Sequence, residues 1–410
     1  MDVIIGAGVT GLSYANFCSH DYLVIEAEDE IGGYCRTIRQ DGFVWDYSGH
    51  FFHFQDDNIH SWIMERMDEQ RLVTVKKRTQ IYYEGRYIDF PFQKNIHQLE
   101  KSEFIDCLYD LYFRDQTNEF TFKQMLVGQF GISICEKFLF PYNEKLYACD
   151  LDQLDRNAMG RFFPHADMDS IIRNMKESDE SSYNSTFSYA EDGAQAYVDA
   201  LAKGVKAENI RTGEKVCEID IQTRAVVTET GTYEYDNLIS TTPLPRLLGL
   251  VGNTENIQHY AYNKVVVLNL GFDGPANNEN HWIYFPGKDL CFYRVGFYSN
   301  ILPSERMSMY VELGLGAGEQ CKESDYYLEQ VMADLKRVGL VSSQKLISWN
   351  LVVMDPAYVH VNEECERAKK AHLADLKADS IYSIGRYGGW RYCSIEDNII
   401  EARQLAHDLD

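Results

Sequence analysis

The sequence lacks the features that mark several common classes of protein. Its ten cysteines form no CxxC pair, which argues against a zinc site or a disulfide framework and for buried thiols in a reducing compartment. No apolar run approaches the length of a membrane-spanning helix, and no basic leader precedes the first strand. We therefore expect a soluble, cytoplasmic protein without a membrane span.

An excess of positive charge is also missing. The formal net charge is −24, whereas a nucleic-acid-binding surface needs a basic face that displaces counterions from phosphates. We expect no nucleic-acid partner. A small anionic ligand remains compatible, because a few arginines can reverse the field inside one cleft.

The chain contains no internal repeat and no low-complexity linker. At 410 residues it is too long for one simple core, so two or more lobes are expected. The pattern is helical from about residue 98 to 176, a polar loop is expected over Ser178–Ser188, and strands alternate with one helix (Asp325–Val338) in the region that follows.

The clearest motif lies at the start of the sequence, in "MDVIIGAGVTGLSYANFCS" followed by "YLVIEA". A short apolar strand (Val3–Ile5), a glycine turn, helical spacing from Leu12 and a second strand ending at Glu26 together indicate a dinucleotide-binding βαβ unit. Glu26 is placed to accept hydrogen bonds from ribose hydroxyls.

Each glycine of the GxGxxG turn has a mechanical reason. Gly6 permits the tight turn, Gly8 lets the backbone approach a pyrophosphate, and Gly11 allows close packing of helix on strand. The N-terminus of the helix then offers unpaired N–H groups and the positive end of its dipole to the phosphates.

A second glycine pair follows Glu26 in "IEAEDEIGGYCRT", and "GRYGGWRY" lies near the C-terminus. An acid followed by Gly-Gly and then Arg36 or Thr37 resembles the fingerprint of flavoproteins of the amine-oxidase and glutathione-reductase type. The resemblance implies FAD rather than NAD as the resident cofactor. Its further binding residues would be Gly33, Arg36, Thr37, Arg386 and Gly388.

Five further motifs carry a closer resemblance. "GFVWDYSGHFFHF", "DFPFQKNI", "FLFPYNEKLYA", "WIYFPGKDLCFYR" and "GRYGGWRY" stand in the order found in UDP-galactopyranose mutases, and look closest to the eukaryotic-type branch. The matches span nearly the whole chain. They imply an α/β fold with a Rossmann-like FAD-binding domain, a helical insert and an antiparallel β-sheet substrate domain.

The expected domain boundaries follow from this reading. A discontinuous FAD-binding domain would comprise residues 1–95, 190–250 and 375–410. A helical substrate domain would span residues 96–189, and the antiparallel sheet domain residues 251–374.

The resemblance also implies a reaction. In that family N5 of the reduced flavin attacks the anomeric carbon of a nucleotide sugar, and the pyranose and furanose forms interconvert with no net redox change. The protein would be an isomerase acting on UDP-galactose or a related nucleotide hexose, with NAD(P)H as the reductant that prepares the flavin.

Such a reaction needs cations that hold a departing diphosphate. The family's arginines map onto Arg294 in "FYR" and Arg161 in "AMGRFF", the latter also readable as an exposed charge at a helix end. The Gly49 carbonyl and His50 in "SGHFF" would lie beside the flavin. His50 has no second ligand at useful spacing, so no metal site is expected.

The remaining resemblance concerns the substrate. In that family, tyrosines bind the sugar and the diphosphate, side-chain amides and aromatic rings bind the uridine, and further aromatic residues form a wall of the site. The residues that match these positions here are Gln93, Phe138, Asn143, Tyr147, Asn184, Trp282, Tyr284, Tyr358 and Tyr392. With 28 tyrosines in the chain, any one taken alone is more often a packing residue.

Several positions depart from the family pattern. Ile301 and Phe90 replace tyrosines, and the stretch after "GWRY" is Cys393–Asn398. The nucleotide, the sugar and the oligomeric state therefore stay open. The alternatives are an oxidoreductase of the amine-oxidase or protoporphyrinogen-oxidase kind, which usually presents an apolar substrate tunnel, and an inactive flavin-binding scaffold.

Overall fold

The computed structural model describes residues 1–67, 71–114, 120–160, 163, 166–177 and 185–410. The strands within these residues are, in chain order, β1 Asp2–Ile5, β2 Tyr22–Ile25, β3 Thr37–Gln40, β4 Phe43–Asp46, β5 Leu72–Lys76, β6 Thr79–Tyr83, β7 Arg86–Asp89, β8 Thr186–Ala190, β9 Ile210–Arg211, β10 Val216–Asp220, β11 Ala225–Thr228, β12 Thr232–Glu234, β13 Asn237–Ser240, β14 Ala261–Phe272, β15 Trp282–Tyr284, β16 Arg294–Phe297, β17 Ser308–Gly316, β18 Leu346–His360 and β19 Ile381–Ser383.

The α-helices of the same residues are, in chain order, α1 Val9–Phe17, α2 Asp57–Met64, α3 Lys101–Tyr112, α4 Phe122–Phe130, α5 Ile132–Ile134, α6 Phe140–Tyr147, α7 Met168–Asn174, α8 Gln195–Ala202, α9 Leu244–Leu250, α10 Tyr298–Ile301, α11 Ser324–Arg337, α12 Glu363–Ala378, α13 Gly385–Gly388 and α14 Ile395–Leu409. A 3₁₀ turn (Phe92–Lys94) and a π-helical turn (Cys135–Leu139) also border the site described below.

A five-stranded sheet carries the N-terminal βαβ unit. Its strand order is β19-β13-β1-β2-β9, and every pairing is parallel. The apolar strands β1 and β2 are buried because helices cover a parallel sheet on both faces. The expected strand, turn, helix and strand are confirmed.

This sheet draws its strands from distant parts of the chain. Leu238 of β13 pairs with Ile381 of β19, and Val3 of β1 pairs with Leu238. The stretch "NLIS" thus returns as β13 to the sheet that carries the glycine turn. Two apolar cores flank the sheet, one including α1, α8 and α14 and the other including α9 and α12.

A second, seven-stranded sheet has the order β18-β14-β17-β16-β15-β6-β7. All its pairings are antiparallel except β15 with β6. The motif "WIYFPGKDLCFYR" forms an aromatic hairpin of β15 and β16, with Trp282 in the first strand and Arg294 at the start of the second. The expected helix is α11, whose Tyr327, Val331 and Leu335 pack on one face of this sheet.

The segment from about residue 98 to 176 is mainly helical, as predicted. Helices α3 to α7 enclose their own apolar core, which includes Phe122, Phe130 and Phe138. The mixed α/β fold class is thus confirmed. In the part of the chain that the structure describes, no helix has both the length and the apolar character needed to cross a membrane.

Two local features differ from the expectations. The polar loop expected over Ser178–Ser188 is wrong at its end, because Thr186 begins β8, which pairs with β5. Its residues 178–184 lie outside the described part of the chain. Strands β6 and β7 join the seven-stranded sheet, although residues 1–95 were assigned to the FAD-binding domain. The domain boundaries themselves stay predictions.

Candidate functional site

Two cavities adjoin in the middle of the molecule. One, of about 500 Å³, is lined by Gly6, Gly8, Glu26 and Gly33 and is here named the glycine-lined cavity. The other, of about 560 Å³, has nine Phe and Tyr side chains in its lining and is named the aromatic cavity. The residues that line both are Gly49, His50, Arg294, Tyr358, Arg386, Tyr392, Cys393 and Ile395.

The glycine turn fits close backbone contact. Gly6 has φ of +99°, a left-handed conformation that favours glycine. A Cβ on Gly11 would lie 2.0 Å from the Gly6 carbonyl oxygen, so only glycine lets α1 pack this closely on the turn. Gly8 forms a bridge to Gly32 and lines the cavity at the N-terminus of α1. The cavity therefore offers free N–H groups and a positive dipole end to phosphates.

Glu26 lies at the end of β2, as expected, and is 9% exposed. Its two carboxylate oxygens already accept hydrogen bonds from the backbone N–H groups of Ala7 (2.7 Å) and Glu28 (2.9 Å). Each oxygen keeps a second lone pair, so Glu26 can hold the turn in place and still accept a ribose hydroxyl.

Besides Gly11, three of the proposed cofactor residues stand behind the wall of the cavity rather than in it. The Arg36 Nε donates to the Gly33 carbonyl (3.1 Å). The Thr37 hydroxyl donates to Asp46 (2.6 Å), and Gly388 packs so close to β13 that a Cβ would lie 3.0 Å from the Ser240 oxygen. These residues shape the cavity, and their direct contact with a cofactor stays a prediction.

Gly49 and His50 lie where the two cavities meet. A Cβ on Gly49 would lie 2.4 Å from the Tyr310 hydroxyl, so the close approach requires glycine. Burial lowers the pKa of His50 to about 4, and nearby Arg386 and Arg294 act in the same direction. His50 is therefore neutral at pH 7, and its buried Nδ1 has no hydrogen-bond partner in the described residues.

Arg294 begins β16 and is held by a carboxylate that the sequence reasoning missed. Its Nε and Nη2 donate to the two oxygens of Glu312 at 2.6 and 2.7 Å, while the Ser48 hydroxyl also donates to Glu312. Glu312 is fully buried and Arg294 is 21% exposed at the cavity. Burial is the largest single influence on the pKa of Arg294 and lowers it, but the Glu312 charge and hydrogen bond, together with the Tyr310 and Tyr358 hydroxyls, outweigh burial and raise the pKa well above its usual value.

The strand register explains this arrangement. Tyr284 pairs with Arg294, and Arg294 pairs with Glu312, so the three side chains stand in one row across β15, β16 and β17. The Trp282 indole N–H donates to the Tyr284 hydroxyl (2.9 Å). Trp282 is 4% exposed, does not line the aromatic cavity, and fixes the position of Tyr284 from behind.

A second cation, Arg386, lies among aromatic rings. Its guanidinium lies 4.5 Å from the ring centre of Tyr392 and 5.5 Å from that of Tyr358, and these two rings stack. Its Nη1 donates to the Cys393 carbonyl (3.3 Å), and its buried Nε has no hydrogen-bond partner in the described residues. A buried donor without a partner costs free energy unless a ligand supplies an acceptor.

The far end of the aromatic cavity is formed by the helical segment. The ring of Phe138 stacks on Phe92 and Tyr142, with centroids 5.1 and 5.3 Å away. Asn143 donates from Nδ2 to the Leu139 carbonyl (2.7 Å), which leaves its buried Oδ1 without a partner in the described residues. This oxygen can accept an N–H from the edge of a base.

Not all of the proposed substrate residues reach the cavity. Gln93 and Tyr147 are buried behind it, at 0% and 1% exposure, and are not part of its lining. Arg161 and Asn184 lie outside the described residues. The structure brings together Gly49, His50, Phe138, Asn143, Tyr284, Arg294, Tyr358, Arg386 and Tyr392.

Several cavity residues were not expected from the sequence. They include Lys94, Tyr142 and Glu396, besides Glu312 behind the wall. Lys94 and Tyr142 stand inside quoted motifs ("PFQKNI" and "PYN"), so their motif position was an available signal. Glu396 lies in a stretch that departs from the family pattern, and only its place at the start of α14 brings it to the cavity.

Comparisons with known proteins agree with this architecture. A model of the family described as flavin containing amine oxidoreductase matches residues 10–345. A crystal structure of reduced UDP-galactopyranose mutase has a TM-score of 0.93 at 22% identity and covers 100% of this chain and 93% of that chain.

Two other solved structures are similar over their whole length. One, described as a protoporphyrinogen oxidase from Exiguobacterium sp. 255-15, has a TM-score of 0.78 at 16% identity, covering 100% of this chain and 98% of that chain. A fatty acid isomerase from P. acnes that produces CLA has a TM-score of 0.69 at 14% identity, covering 99% and 98%. At these identities the similarity establishes the fold.

The residues of the glycine-lined cavity fit a flavin dinucleotide. The turn at Gly6 and Gly8 admits a pyrophosphate, and Glu26 keeps acceptor capacity for a ribose. Arg386, with its unpartnered Nε, lies where this cavity opens into the aromatic one. The reactive end of such a cofactor would therefore face the second cavity.

Proposed function

The chain belongs to the flavin containing amine oxidoreductase family, and from that premise we propose that it is a flavin-dependent nucleotide-sugar mutase. The reaction is the interconversion of the pyranose and furanose forms of UDP-galactose or a related nucleotide hexose. It is an isomerisation without net redox change, and FAD is the cofactor.

One observation carries this proposal. The aromatic cavity contains Arg294 and the hydroxyl-bearing rings of Tyr284, Tyr358 and Tyr392, and it opens directly onto the glycine-lined cavity. Tyrosine hydroxyls and a guanidinium are groups that bind phosphate oxygens. An amine substrate is itself a cation, so its cavity needs no guanidinium, and an oxidase usually presents an apolar tunnel to its substrate instead.

A reduced flavin, when bound, supplies a nucleophilic nitrogen to the anomeric carbon. The protein's part is then to hold the diphosphate after it leaves the sugar and to return it. Arg294 donates to Glu312 through two nitrogens, which fixes the plane of its guanidinium and leaves Nη1 for the phosphate. Such a preorganised donor loses little entropy when charge develops on the leaving group.

The junction residues have separate roles in this mechanism. His50 stays neutral at pH 7, so it can position a ligand without adding charge beside the reacting carbon. The Gly49 carbonyl is proposed to accept a hydrogen bond from the cofactor. Tyr358 and Tyr392 stack over Arg386 and exclude water from the junction.

The far end of the cavity suits the nucleoside. Phe138 and Tyr142 supply a stacked aromatic surface, and the Asn143 Oδ1 offers an acceptor for uracil N3–H. Gln93 and Tyr147 support this end from behind. The roles of Arg161 and Asn184 stay proposals that the described residues do not address.

The proposal extends to the location of the protein and to its reductant. All ten cysteines are free thiols, which supports the cytoplasm as the location. NAD(P)H is proposed as the reductant, and membership of the eukaryotic-type branch stays a prediction from the motifs.

The test is anaerobic turnover. The purified flavoprotein is reduced with dithionite, mixed with UDP-galactopyranose or its furanose isomer, and the isomers are followed by HPLC. Interconversion only with reduced flavin is expected. Oxygen consumption with an amine in the absence of any sugar would contradict the proposal and favour an oxidase.

A variant pair sharpens this experiment. Arg294→Ala is expected to keep bound flavin and lose turnover, because the diphosphate clamp is removed. Arg337→Ala removes an arginine whose side chain is 48% exposed on α11, outside both cavities, and serves as the matched control. Near-normal turnover of Arg294→Ala would show that the diphosphate is bound elsewhere.

A further inference from the structure

Glu396 is a buried carboxylate in the wall of the aromatic cavity, at the N-terminal end of α14. It is 4% exposed. Its Oε1 accepts hydrogen bonds from the backbone N–H groups of Gln55 and Asp56, both at 2.8 Å. These two donors fix which oxygen faces the protein and leave Oε2 for the cavity.

No positive charge in the described residues neutralises Glu396. No ion pair joins Glu396 to any other described residue, and no donor in these residues contacts its Oε2. The first turn of α14 stabilises the negative charge through its dipole. A carboxylate in this setting remains an acceptor for a ligand that carries hydrogen-bond donors.

The position of Glu396 identifies the part of the ligand it meets. Its neighbour Ile395 lines both cavities and packs against the core that includes α1. Asn143 and Phe138 lie at the other end, on the separate core of the helical segment. A nucleotide sugar with its base at that end therefore presents its hexose, and not its uracil, to Glu396.

We propose that Glu396 recognises the sugar, accepting hydrogen bonds from hexose hydroxyl groups and so selecting a polyhydroxylated substrate. The inference rests on the proposed function and assigns a specificity residue to it. Hydrogen bonds to a charged acceptor are stronger than neutral ones, so the loss of a single such contact changes the affinity for the sugar measurably.

Glu396→Gln is the informative variant. The Gln55 and Asp56 N–H groups hold an oxygen on their side, so the amide nitrogen turns toward the cavity and a donor replaces the acceptor. Asp408→Asn, which removes one carboxylate at the exposed end of the same helix, is the matched control. Thermal melting and flavin absorbance check that each variant is folded and loaded.

Titration calorimetry on the reduced proteins, with UDP and separately with UDP-galactose, gives the answer. Glu396→Gln is expected to weaken UDP-galactose binding about ten-fold, the loss of one charge-assisted hydrogen bond, while UDP binding stays within two-fold of wild type. The control is expected to match wild type for both ligands.

Three results would overturn the inference, and they differ from one another. Unchanged UDP-galactose affinity in Glu396→Gln would show that the carboxylate does not contact the sugar. Equal weakening of UDP and UDP-galactose would place its effect on the nucleotide or on folding. Absence of binding of both ligands to the wild-type protein would refute the proposed function itself, and with it this role.

Discussion

The Arg294–Glu312 pair allows a prediction that links stability to the proposed reaction. Glu312 is fully buried, so Arg294→Met leaves a carboxylate whose remaining described donor is the Ser48 hydroxyl. Glu312→Gln leaves a guanidinium that is 21% exposed and still able to donate to the amide oxygen. The double variant removes both charges. The losses of unfolding free energy in the two single variants should therefore add up to more than the loss in the double variant.

The magnitudes follow from the burial of each partner. Removing one partner of a buried ion pair costs about 3–5 kcal/mol, and the partial exposure of Arg294 places Arg294→Met near ~3 kcal/mol. Glu312→Gln should cost about 2 kcal/mol, because the stranded charge reaches the cavity water. The double variant should also lose only about 2 kcal/mol, which gives a coupling energy of about 3 kcal/mol.

The assay is urea unfolding of the flavin-loaded proteins, followed by circular dichroism and by flavin release. Arg337→Met and Asp334→Asn, alone and together, provide the control cycle, since that pair is exposed on the Arg337 side and should couple by less than about 1 kcal/mol. Additive losses in the Arg294–Glu312 cycle, within about 0.5 kcal/mol, would refute the reasoning.

The same cycle has a functional arm. In Glu312→Gln the cation at Arg294 loses its neutralising partner, so the cavity becomes more positive. We expect UDP to bind several-fold more tightly to this variant than to wild type, and turnover to fall because the clamp loses its orientation. Weaker UDP binding in Glu312→Gln, measured by calorimetry, would show that Arg294 does not face the diphosphate.

Three further predictions concern single positions in the cavity. Asn143→Ala should weaken UDP about ten-fold in calorimetry through loss of the unpartnered Oδ1, and an unchanged affinity would remove the base from this end. The folded pKa of His50, about 4, lies below its unfolded value, so its stability contribution is complete above about pH 6.5 and is lost as pH falls to 4. His50→Gln should flatten that part of the unfolding free energy against pH, and an unaltered slope would contradict the assignment. Gly49→Ala should cost about 1–3 kcal/mol by pushing on Tyr310, whereas Gly249→Ala, with open space around its Cβ, should not, and equal melting temperatures would refute the steric argument.

Much of the N-terminal unit could be predicted because its signals are local. Gly6, Gly8 and Gly11 are read directly from spacing, and the apolar strands on either side fix their context. The hairpin at Trp282–Tyr284 and Arg294–Phe297 is similarly local, since its turn residues lie between two short apolar strands. Local patterns of this kind need no knowledge of distant contacts.

The partner of Arg294 could not be read in the same way. Glu312 is 18 positions further along, and only the antiparallel register of β16 with β17 brings the two side chains together. Aromatic composition also misleads, because a buried tyrosine such as Tyr147 looks the same in sequence whether it lines a cavity or stands behind it. Register and depth are tertiary properties, so motif position gave the segment and not the side chain's role.

The site is formed where three parts of the chain meet. The Gly49–His50 segment follows β4, Arg294 begins a strand of the seven-stranded sheet, and Arg386 lies in α13 directly after β19 of the parallel sheet. Phe51, next to the Gly49–His50 segment, packs in one apolar core with residues of the seven-stranded sheet, while Val295 and Ile384 anchor the neighbourhoods of Arg294 and Arg386 in two others. This packing sets the relative positions of the three groups. The charge of Arg294 is balanced by that of Glu312, so the pair leaves the net charge of the protein unchanged. The guanidinium is nevertheless held in one orientation, in which it can bind one leaving group. Orientation of a few fixed groups, more than overall charge, is what a transfer of diphosphate between two ring forms requires.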